Sequence, residues 1–419
     1  MELESNLTEK EVVMYISRHI ETTIEKMFSA FPSVLVTGPR QVGKSTLLFN
    51  KFAGMKYVSL DDPLQLLALK QDPIGYFKLR GTPLIVDEVQ RVPECFAVFK
   101  HMIDRDRRAG MYLLTGSQRF ELMKGVSESL AGRIGVVNML GLSDREIYGD
   151  PFREPFLPTE SYLLGRNSEI PCDLTELWKR IHRGSMPELY SNDRMEWERY
   201  YAAYVDTYIE RDVKQLSAVG DTLVFARFMV VLASRTGELL NEAALAREVG
   251  VDNKTIKSWL SILQASGVIY LLRPFSLNIG KRVVKAPKLY FTDTGLVAYL
   301  CRWFTPETLA NGAMSGAVYE TFIVSEVIKS YLNAGKEPDI YYFRNTDGQE
   351  VDLLFYRDGT LYPAEIKKTS SPNIKDVKHF KALASSFPAV KIGEGGVICN
   401  ADDLLPLGDG VKIIPFTYI

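Results

Sequence analysis

The chain has 419 residues, of which 46% are apolar and 24% are charged, and its formal net charge at pH 7 is −2. This length exceeds what one hydrophobic core usually supports, so we expect two or three domains of an ordinary soluble protein. The near-neutral charge excludes an electrostatic footprint for nucleic acid over the whole chain, so any DNA contact requires a local basic patch.

The four cysteines and four histidines are few for a chain of this length, and no two cysteines form a C-x-x-C pair. This usage argues against a zinc site and favours reduced core cysteines. No apolar run approaches the roughly 18 residues of a membrane span, and the acidic start Met1-Glu2-Leu3-Glu4 does not resemble a signal peptide. We therefore expect a cytoplasmic protein that does not enter a membrane.

The first predicted elements form a phosphate-binding unit. A helix is predicted over 9–29, a buried strand over 33–37 and a second helix over 45–51. Between the strand and the second helix, the pattern G-x-x-x-x-G-K-[ST] is met by Gly38-Pro39-Arg40-Gln41-Val42-Gly43-Lys44-Ser45. In this pattern, backbone N–H groups turn toward phosphates, Lys44 reaches the β- and γ-phosphate oxygens and the Ser45 hydroxyl binds Mg²⁺. The helix N-terminus attracts the same anion, so the sequence predicts binding of ATP or GTP.

Strands and helices alternate from residue 31 onward, which predicts a parallel sheet with crossover helices. The predicted strands are 33–37, 56–60, 83–87, 111–115 and 134–140. The third strand ends in Asp87 and Glu88. Downstream of a phosphate-binding loop, Asp87 is expected to hold Mg²⁺ and Glu88 to polarise the attacking water.

Two later positions are further candidates for phosphate contact. The fourth strand, which we expect beside the phosphate-loop strand, runs into Ser117 and Gln118, and either could sense the γ-phosphate. A helix N-cap role for Ser117 is equally compatible with the sequence. Arg133 could reach a phosphate in its own subunit or in a neighbour of a homo-oligomer, and a solvated arginine is the alternative.

These motifs resemble the AAA-type ATPases that carry a C-terminal domain of unknown function, a family of archaea and bacteria. The resemblance covers nearly the whole chain and implies that the loop, including Thr46, binds the nucleotide. It rests on the segments 38–46, 85–90, 114–117, 130–133, 207–213 and 291–296. The sequence departs from the family at 183–188, which reads Arg-Gly-Ser-Met-Pro-Glu where Gly-Gly-Phe/Tyr-Pro-Glu is usual.

A helical region with a winged-helix pattern follows the sheet. Residues 150–172 contain four prolines and are interpreted as a linker or an irregular surface crossing. A helix-turn-helix is then predicted, with a turn at 250–252 and a cap at Asp252 or Asn253. The other predicted helices and strands of this region are 173–182, 194–218, 221–235, 241–249, 253–266, 268–272 and 288–291.

The predicted winged helix contains the local basic patch that DNA binding requires. A winged helix presents its second helix to the major groove and its wing to phosphates. The candidate contacts are Lys254, Lys257, Lys281, Arg282, Lys285 and Lys288. Because the second helix lacks an arginine for bidentate guanine recognition, sequence-specific binding is less expected than general DNA contact. A protein-docking module is the alternative.

The last hundred residues predict a hairpin with facing carboxylates. Residues 350–367 alternate like two strands about a central Asp-Gly turn. In that register Asp352 lies opposite Glu365 and Glu350 lies opposite Lys367, with all four side chains on one face. Two facing carboxylates repel each other unless a cation lies between them, so a divalent metal would relieve the conflict.

The spacing of Asp352 and Glu365-Ile366-Lys367 resembles the PD-(D/E)xK nuclease superfamily. The resemblance implies that Asp352 and Glu365 bind Mg²⁺ or Mn²⁺ and that Lys367 positions a nucleophilic water. It also implies that Glu320, on a preceding helix, supports the metal or a basic residue. A solvated Glu–Lys salt bridge is the alternative, and DNA cleavage is a separate question from the fold.

The sequence as a whole predicts an α/β multidomain protein. The expected domains are an AAA-type P-loop ATPase at 1–165, a helical and winged-helix domain at 166–305 and a PD-(D/E)xK-like α/β domain at 306–419. The expected function is Mg²⁺-dependent ATP hydrolysis coupled to DNA binding, with metal-dependent DNA cleavage left open. The alternatives are an ATP-driven switch or a DNA-binding regulator whose nuclease-like domain is inactive.

Overall fold

The computed structural model describes residues 15–117, 122, 126, 129–166, 168, 170, 173–208, 222–278, 280, 282 and 285–419. The predicted positions Gln118 and Lys281 lie outside the described residues, as do 9–14 and 209–218 of two predicted helices. Among the helices that are described, none combines the length and the apolar character that a membrane crossing requires.

The N-terminal unit contains a five-stranded parallel sheet, as predicted. Its strands are β1 (Ser33–Thr37), β2 (Lys56–Ser59), β3 (Leu84–Asp87), β4 (Tyr112–Gly116) and β5 (Ile134–Asn138). Every residue of β1, β3 and β4 is buried, because crossover helices cover both faces of a parallel sheet. The surrounding helices are Ile20–Ala30, Lys44–Lys51, Pro63–Gln71, Pro73–Arg80 and Cys95–Asp106.

The strand order is β2-β3-β4-β1-β5, so β4 lies directly beside β1, as predicted. The register pairs Thr37 at the end of β1 with Gly116 at the end of β4. Ligands of open α/β sheets bind outside the carboxyl ends of the strands. This order therefore brings the phosphate loop, Glu88 and Ser117 to one edge.

The segment 150–172 differs from its interpretation as a linker or surface crossing. It contains the helix Glu160–Gly165, and Phe156 and Arg166 are buried. Arg166 Nη2 lies 2.7 Å from Asp150 Oδ2, which lets the guanidinium enter the interior. The described helices of this region and the next are Asp144–Ile147, Glu160–Gly165, Leu174–Arg183, Glu188–Ser191, Trp197–Tyr208, Thr222–Ala233, Glu242–Val249 and Asn253–Ala265.

The helix-turn-helix follows the predicted bounds closely. Gly250 ends the first helix with a left-handed φ of 82°. Asp252 caps the second helix by accepting a hydrogen bond from Thr255 N at 2.8 Å. Two antiparallel strands, β6 (Ile269–Leu272) and β7 (Lys288–Phe291), follow it. That this module acts as a winged helix stays a prediction.

The C-terminal unit is a mixed seven-stranded sheet with the order β13-β14-β12-β10-β9-β8 and β11 beside β10. Its strands are β8 (Ile340–Arg344), β9 (Glu350–Arg357), β10 (Thr360–Lys367), β11 (Lys391–Ile392), β12 (Gly395–Cys399), β13 (Leu405–Gly408) and β14 (Val411–Pro415). The accompanying helices are Thr294–Leu300, Pro306–Asn311, Ser315–Asn333 and Phe380–Ser386. The nuclease-like character of this sheet stays a prediction.

The hairpin of β9 and β10 has the predicted register. Thr360 lies opposite Arg357, and the pairing continues to Ala364 opposite Leu353. The turn residues at 358–359 have φ values of 49° and 76°. A type I′ turn requires positive φ at both central positions, which Asp-Gly supplies. The local sequence therefore fixes which side chains face each other.

The 315–333 helix connects the C-terminal unit with the ATPase unit. Glu326 Oε2 accepts a hydrogen bond from Asp144 N at 2.9 Å. Lys329 Nζ donates to Leu142 O at 2.9 Å and to Glu326 Oε1 at 2.7 Å. One hydrophobic core runs from β1 through the helical region to this helix and the C-terminal sheet. Packing is continuous across the predicted domain boundaries. The positions of these boundaries therefore stay predictions.

Candidate functional site

A cleft of about 1030 Å³ opens at the carboxyl edge of the parallel sheet. The phosphate loop lines it from Arg40 to Thr46, together with Glu88 and Ser117. Gly38 and Pro39 lie at the base of the loop, where their carbonyl oxygens accept hydrogen bonds from Lys44. The structure therefore brings together the phosphate-loop residues that the sequence predicts for nucleotide binding.

The phosphate loop adopts a backbone that requires glycine at two positions. Gly38 has a φ of 149°, and a Cβ there would lie 1.9 Å from Met139 O. Gly43 has a φ of 88° directly before the 44–51 helix. Lys44 is buried, and its Nζ donates to Gly38 O at 3.1 Å and to Pro39 O at 2.7 Å. The loop, its lysine and the helix N-terminus therefore fit an anionic phosphate.

Asp87 is buried and accepts hydrogen bonds from three hydroxyl groups. Ser45 Oγ donates to Oδ1 at 2.8 Å, and Tyr57 OH donates to Oδ2 at 2.6 Å. Thr115 Oγ1 also bonds to Oδ1. Burial and the bond to Asp87 raise the pKa of Tyr57, so its hydroxyl remains a donor. Carboxylate oxygen is the ligand type that Mg²⁺ prefers, so the predicted pair Ser45 and Asp87 fits that ion.

Glu88 lies at the cleft in an uncommon backbone conformation. Its φ is 57°, a left-handed value that non-glycine residues adopt mostly at special positions. Its N–H donates to Thr115 Oγ1 at 3.2 Å, and Gln90 Nε2 bonds to its carboxylate and lies 3.4 Å from Ser117 Oγ. Burial raises the pKa of Glu88 against the opposing effect of Lys44. A carboxylate with a raised pKa is a better acceptor for a proton from water.

The carboxylates of the C-terminal unit converge at a second site. Asp352 lies on β9, Glu365 and Lys367 lie on β10, and Glu320 lies on the 315–333 helix. Lys367 Nζ is 2.8 Å from Glu365 Oε2 and 3.3 Å from Asp352 Oδ2. Asp352 Oδ2 also accepts a hydrogen bond from Ile366 N at 2.9 Å. Asp352, Glu365 and Lys367 therefore meet as the sequence predicts.

Asp352 and Glu365 have opposite protonation preferences. Burial and the charge of Asp352 raise the pKa of Glu365 to about 9. Burial opposes ionisation of Asp352, but the ammonium groups of Lys288 and Lys367 hold its pKa below the ordinary value. At neutral pH the pair therefore retains one proton, which reduces the repulsion between the facing carboxyl groups.

Lys288 is not an exposed cation of the wing. Its side chain is 5% exposed, and Nζ lies 2.6 Å from Glu350 Oε1, 3.2 Å from Glu320 Oε1 and 3.7 Å from Asp352 Oδ1. Three converging carboxylates require a cation, and β7 supplies it. The prediction that Lys288 contacts DNA is wrong for this reason. Glu320 supports a basic residue, which is one of its two expected roles.

The ammonium of Lys367 contacts both Asp352 and Glu365, where a metal ion was expected. The ammonium of Lys288 contacts Asp352 from the side of Glu320 and Glu350. Within the described ranges, no group of three or more acidic, histidine or cysteine side chains is arranged to hold a metal ion. The predicted ligands Glu320, Asp352 and Glu365 therefore do not fit Mg²⁺ or Mn²⁺ in this arrangement.

Comparisons with known proteins identify the family. Residues 30–148 match the family model of an AAA domain, and 174–307 and 315–419 match two domains of unknown function, DUF8612 and DUF4143. The uncharacterized proteins Mb2031c of Mycobacterium bovis and Rv2008c of Mycobacterium tuberculosis are each 30% identical over 391 residues, which are 93% of this chain and 81% of theirs. The chain belongs to their family. Its N-terminal unit is a P-loop AAA domain.

Solved structures resemble this family member only in part. The Walker-type ATPase paby2304 of Pyrococcus abyssi is 14% identical, with a TM-score of 0.42 over 68% of this chain and 96% of that one. A RuvB variant of Thermotoga maritima is 16% identical, with a TM-score of 0.30 over 60% of this chain and 88% of that one. Scores this low carry no argument about function.

The wall of the cleft opposite the phosphate loop was not predicted from the sequence. It comes from the helical region, and Pro187 Cγ lies 3.8 Å from the position of a Cβ on Gly43. This wall is formed by Pro187, Glu188, Ser191, Met195, Arg199, Tyr200, Ala203 and Thr207. One signal in the sequence could have indicated this wall. It is the segment 183–188, where this family member departs from the usual pattern.

Asp293 joins the segment 291–296 to the segment 183–188. It accepts hydrogen bonds from Ser185 N at 2.6 Å, Ser185 Oγ at 2.8 Å and Tyr201 OH at 2.7 Å. It also caps the 294–300 helix by accepting from Leu296 N at 2.7 Å. The segments 183–188 and 291–296 therefore meet behind the wall of the cleft.

Arg18 is another residue that the sequence did not reveal. It is buried at the cleft, where Nη1 donates to Val42 O at 2.9 Å and Nη2 donates to Leu140 O at 2.8 Å. Its Nε lies 3.0 Å from Glu146 Oε1. Arg18 thereby ties the phosphate loop to the chain that follows β5.

Arg133 lies away from the cleft of its own chain. Its Nε is 2.7 Å from Asp104 Oδ1 on the 95–106 helix, and Nη1 donates to Ala131 O at 3.3 Å. The prediction of a nucleotide contact in its own subunit is wrong because Asp104 holds the guanidinium at the surface. Contact with a neighbouring subunit stays untested.

The remaining basic candidates divide into packed and exposed side chains. Arg282 Nη1 donates to Tyr341 OH at 2.7 Å, and the guanidinium lies 4.9 Å from the centre of the Phe275 ring. Arg282 therefore stacks against Phe275 and Tyr341 and is partly buried, and its contact with DNA stays a prediction. Exposed side chains are found at Lys254, Lys257 and Lys285. DNA contact by these three lysines stays a prediction.

Proposed function

We propose that this chain binds ATP with Mg²⁺ in the N-terminal cleft and hydrolyses it. The observation that carries the proposal is the meeting of Lys44, the Ser45–Asp87 pair and Glu88 at the carboxyl edge of an AAA sheet. Mg²⁺, when bound with the nucleotide, supplies neutralisation of the phosphate charge.

The chain's own residues have separate roles in this proposal. The phosphate loop and Lys44 bind the phosphate oxygens, and Ser45 and Asp87 hold the metal ion. Glu88 orients the attacking water and accepts its proton, for which its raised pKa is suited. Gln90 fixes the Glu88 carboxylate, and the helical wall limits the access of bulk water to the cleft.

Replacement of the loop lysine tests the proposal. Lys44→Ala is expected to weaken ATP binding about 10- to 150-fold, because a hydrogen bond to a charged group contributes about 1.5–3 kcal/mol. Turnover should be lost as well. Lys51→Ala, at the exposed end of the same helix, is the control and should retain both properties. Calorimetric ATP titration and phosphate release measure the two effects, and unchanged turnover in Lys44→Ala would refute the assignment.

We further propose that the C-terminal half acts on DNA. Its support is the meeting of two carboxylates at the ammonium of Lys367. Nζ lies 2.8 Å from Glu365 Oε2 and 3.3 Å from Asp352 Oδ2. Metal-dependent cleavage at this site would require the acidic side chains to rearrange, since they are not arranged to hold a metal ion. The rival proposal is an ATP-driven switch or regulator that binds DNA without cutting it.

Two measurements separate these proposals. Replacement of Lys254, Lys257 and Lys285 by alanine should reduce the salt dependence of DNA binding. Each phosphate contact contributes to the slope of the logarithm of the binding constant against the logarithm of the salt concentration. Asp352→Ala or Lys367→Ala should remove Mn²⁺-dependent cleavage of a DNA duplex. DNA binding without any cleavage by the natural protein would favour the rival, and no DNA binding would refute both.

A further inference from the structure

Tyr57 connects the edge strand β2 with the buried carboxylate of Asp87. Ser59 of β2 is the register partner of Asp87 on β3, and Tyr57 lies two residues before Ser59, on the same face of the strand. The Tyr57 hydroxyl donates to Asp87 Oδ2 at 2.6 Å. Within the described ranges, no other side chain donates to that oxygen. Tyr57 therefore supplies the partner of one of the two carboxylate oxygens.

The other oxygen of Asp87 is directed at the phosphate loop. Oδ1 accepts hydrogen bonds from Ser45 Oγ at 2.8 Å and from Thr115 Oγ1. A serine hydroxyl has one hydrogen and two lone pairs. Because Ser45 donates its hydrogen to Asp87, its lone pairs stay available to a metal ion. This arrangement depends on the orientation of the Asp87 carboxylate.

The ring of Tyr57 packs on the helix that carries Ser45. Phe49 lies four residues after Ser45, which places the two side chains on one face of the 44–51 helix. The Phe49 and Tyr57 rings pack edge to face, with their centroids 6.2 Å apart. Tyr57 is 37% exposed, whereas Asp87 is buried. The ring therefore lies at the surface of the sheet edge, and the hydroxyl is the part of Tyr57 that reaches the site.

We propose that Tyr57 is a positioning residue for the metal ion of the nucleotide site. Its hydroxyl fixes the Asp87 carboxylate, so that Oδ1 remains directed at Ser45 and the pair is ready to receive Mg²⁺. The proposal rests on the proposed ATP hydrolysis with Mg²⁺. It adds to that function a residue that lies outside both the phosphate loop and the lining of the cleft.

Removal of the hydroxyl alone tests this role. Tyr57→Phe retains the ring that packs on Phe49. Calorimetric titration with a non-hydrolysable ATP analogue measures the nucleotide affinity in excess Mg²⁺ and again in EDTA, without turnover. The ratio of the two affinities should fall about 10- to 100-fold, the usual effect of losing the hydrogen-bond partner of a metal ligand. The affinity in EDTA should stay unchanged, because Lys44 and the loop are retained, and this value also shows that the variant is folded.

Tyr76→Phe is the matched control for the lost hydroxyl. Tyr76 OH donates to Gln65 Oε1 at 2.7 Å, and neither residue lines the cleft. Tyr76→Phe should leave both affinities unchanged. A double variant gives a second test. Asp87→Asn should lower the ratio by itself, and adding Tyr57→Phe should lower it no further, because the two residues act through one interaction.

The outcomes separate this inference from the proposed function. A lowered ratio in Asp87→Asn with a normal ratio in Tyr57→Phe would overturn the role of Tyr57 and retain the metal-binding pair. An equal loss of affinity in Mg²⁺ and in EDTA would show that Tyr57 acts on the fold and would also overturn its positioning role. The same ratio in the natural protein and in Asp87→Asn would overturn the metal-binding pair, and this inference with it. No binding of the analogue by the natural protein would overturn the proposed function itself.

Discussion

The two acidic sites of this chain differ in the groups that hold their carboxylates. Asp87 in the N-terminal cleft accepts hydrogen bonds from three hydroxyl groups, all of them neutral donors. In the C-terminal cluster, Glu320, Glu350 and Asp352 surround the ammonium of Lys288. Neutral donors position the charge of one site, whereas Lys288 offsets part of the charge of the other.

This difference affects how strongly each site attracts a further cation. A hydroxyl donor fixes a carboxylate but leaves its negative charge, so a divalent ion is still attracted. An ammonium donates hydrogen bonds and also offsets part of the negative charge, so a further cation is attracted less strongly. The neutral donors at Asp87 therefore do not offset the charge of its carboxylate, whereas Lys288 offsets part of the charge of the C-terminal cluster.

The largest effect is expected from neutralising the glutamate of the N-terminal site. Glu88→Gln should lower the rate of ATP hydrolysis by about 10²–10⁴-fold, the usual contribution of a general base, because the amide cannot accept the proton. ATP binding should change little, since Lys44 and the loop are retained. Single-turnover phosphate release and calorimetric ATP titration measure the two quantities.

The matched control for this prediction is Glu94→Gln, an exposed glutamate at the start of the 95–106 helix. It should leave both the rate and the affinity unchanged. If Glu88→Gln retained normal hydrolysis, the N-terminal site would use another base, and the role proposed for Glu88 would be contradicted.

Local patterns allowed much of both sites to be predicted from the sequence. The phosphate loop, the strand ending in Asp87 and the helix-turn-helix depend on glycines, caps and apolar runs within a few residues of each other. The Asp-Gly turn fixed the register of β9 and β10, which brought Asp352 opposite Glu365. The strand order also followed, because β4 lies beside β1 in AAA-type sheets.

Contacts between distant segments could not be predicted in this way. Lys288 stands in a basic stretch and has the sequence context of an exposed wing residue. Its burial depends on Glu320 and Glu350, which are remote in the chain and satisfy its charge only after folding. Arg133 was misassigned within its own subunit for the same reason, because a charged residue alone does not indicate its partner.

The next largest effect is expected from removing the internal cation of the C-terminal cluster. Lys288→Met should lower the free energy of unfolding by about 2–4 kcal/mol, near the lower end of what breaking a buried ion pair costs. The carboxylates are partly exposed, which limits the loss. Chemical denaturation measures it, and adding Glu350→Gln should restore part of the stability.

A surface lysine provides the control for this stability change. Lys51 lies 3.1 Å from Glu25 with a third of its side chain exposed. Lys51→Met should cost less than about 1 kcal/mol, as surface ion pairs usually do. A similarly small decrease in the free energy of unfolding for Lys288→Met would show that Lys288 does not stabilise these carboxylates.

Asp293 is a third buried acid, held by neutral donors and placed outside both acidic sites. Asp293→Asn should lower the free energy of unfolding by about 1.5–3 kcal/mol, since hydrogen bonds to a charged group are lost. The amide keeps one acceptor oxygen for the four donors that Asp293 binds. Thermal and chemical unfolding measure the change, with the exposed Asp193→Asn as the control. Equal stabilities would show that these donors do not depend on the carboxylate.

The smallest effect comes from a histidine that contacts neither acidic site and so gives a baseline for pH dependence. His182 stacks on Trp197 at 4.2 Å, and its Nε2 lies 2.9 Å from Trp303 O. Burial lowers the pKa of His182 below its ordinary value of 6.5. Below that pH the unfolded chain binds a proton that the folded chain does not, so stability is present above about 6.5 and decreases as the pH falls. The natural protein should lose at most about 1.4 kcal/mol more than His182→Gln between about pH 7.5 and 5.5. Denaturant titrations at both pH values test this, and a relative gain at low pH would mean that the folded imidazole is protonated instead.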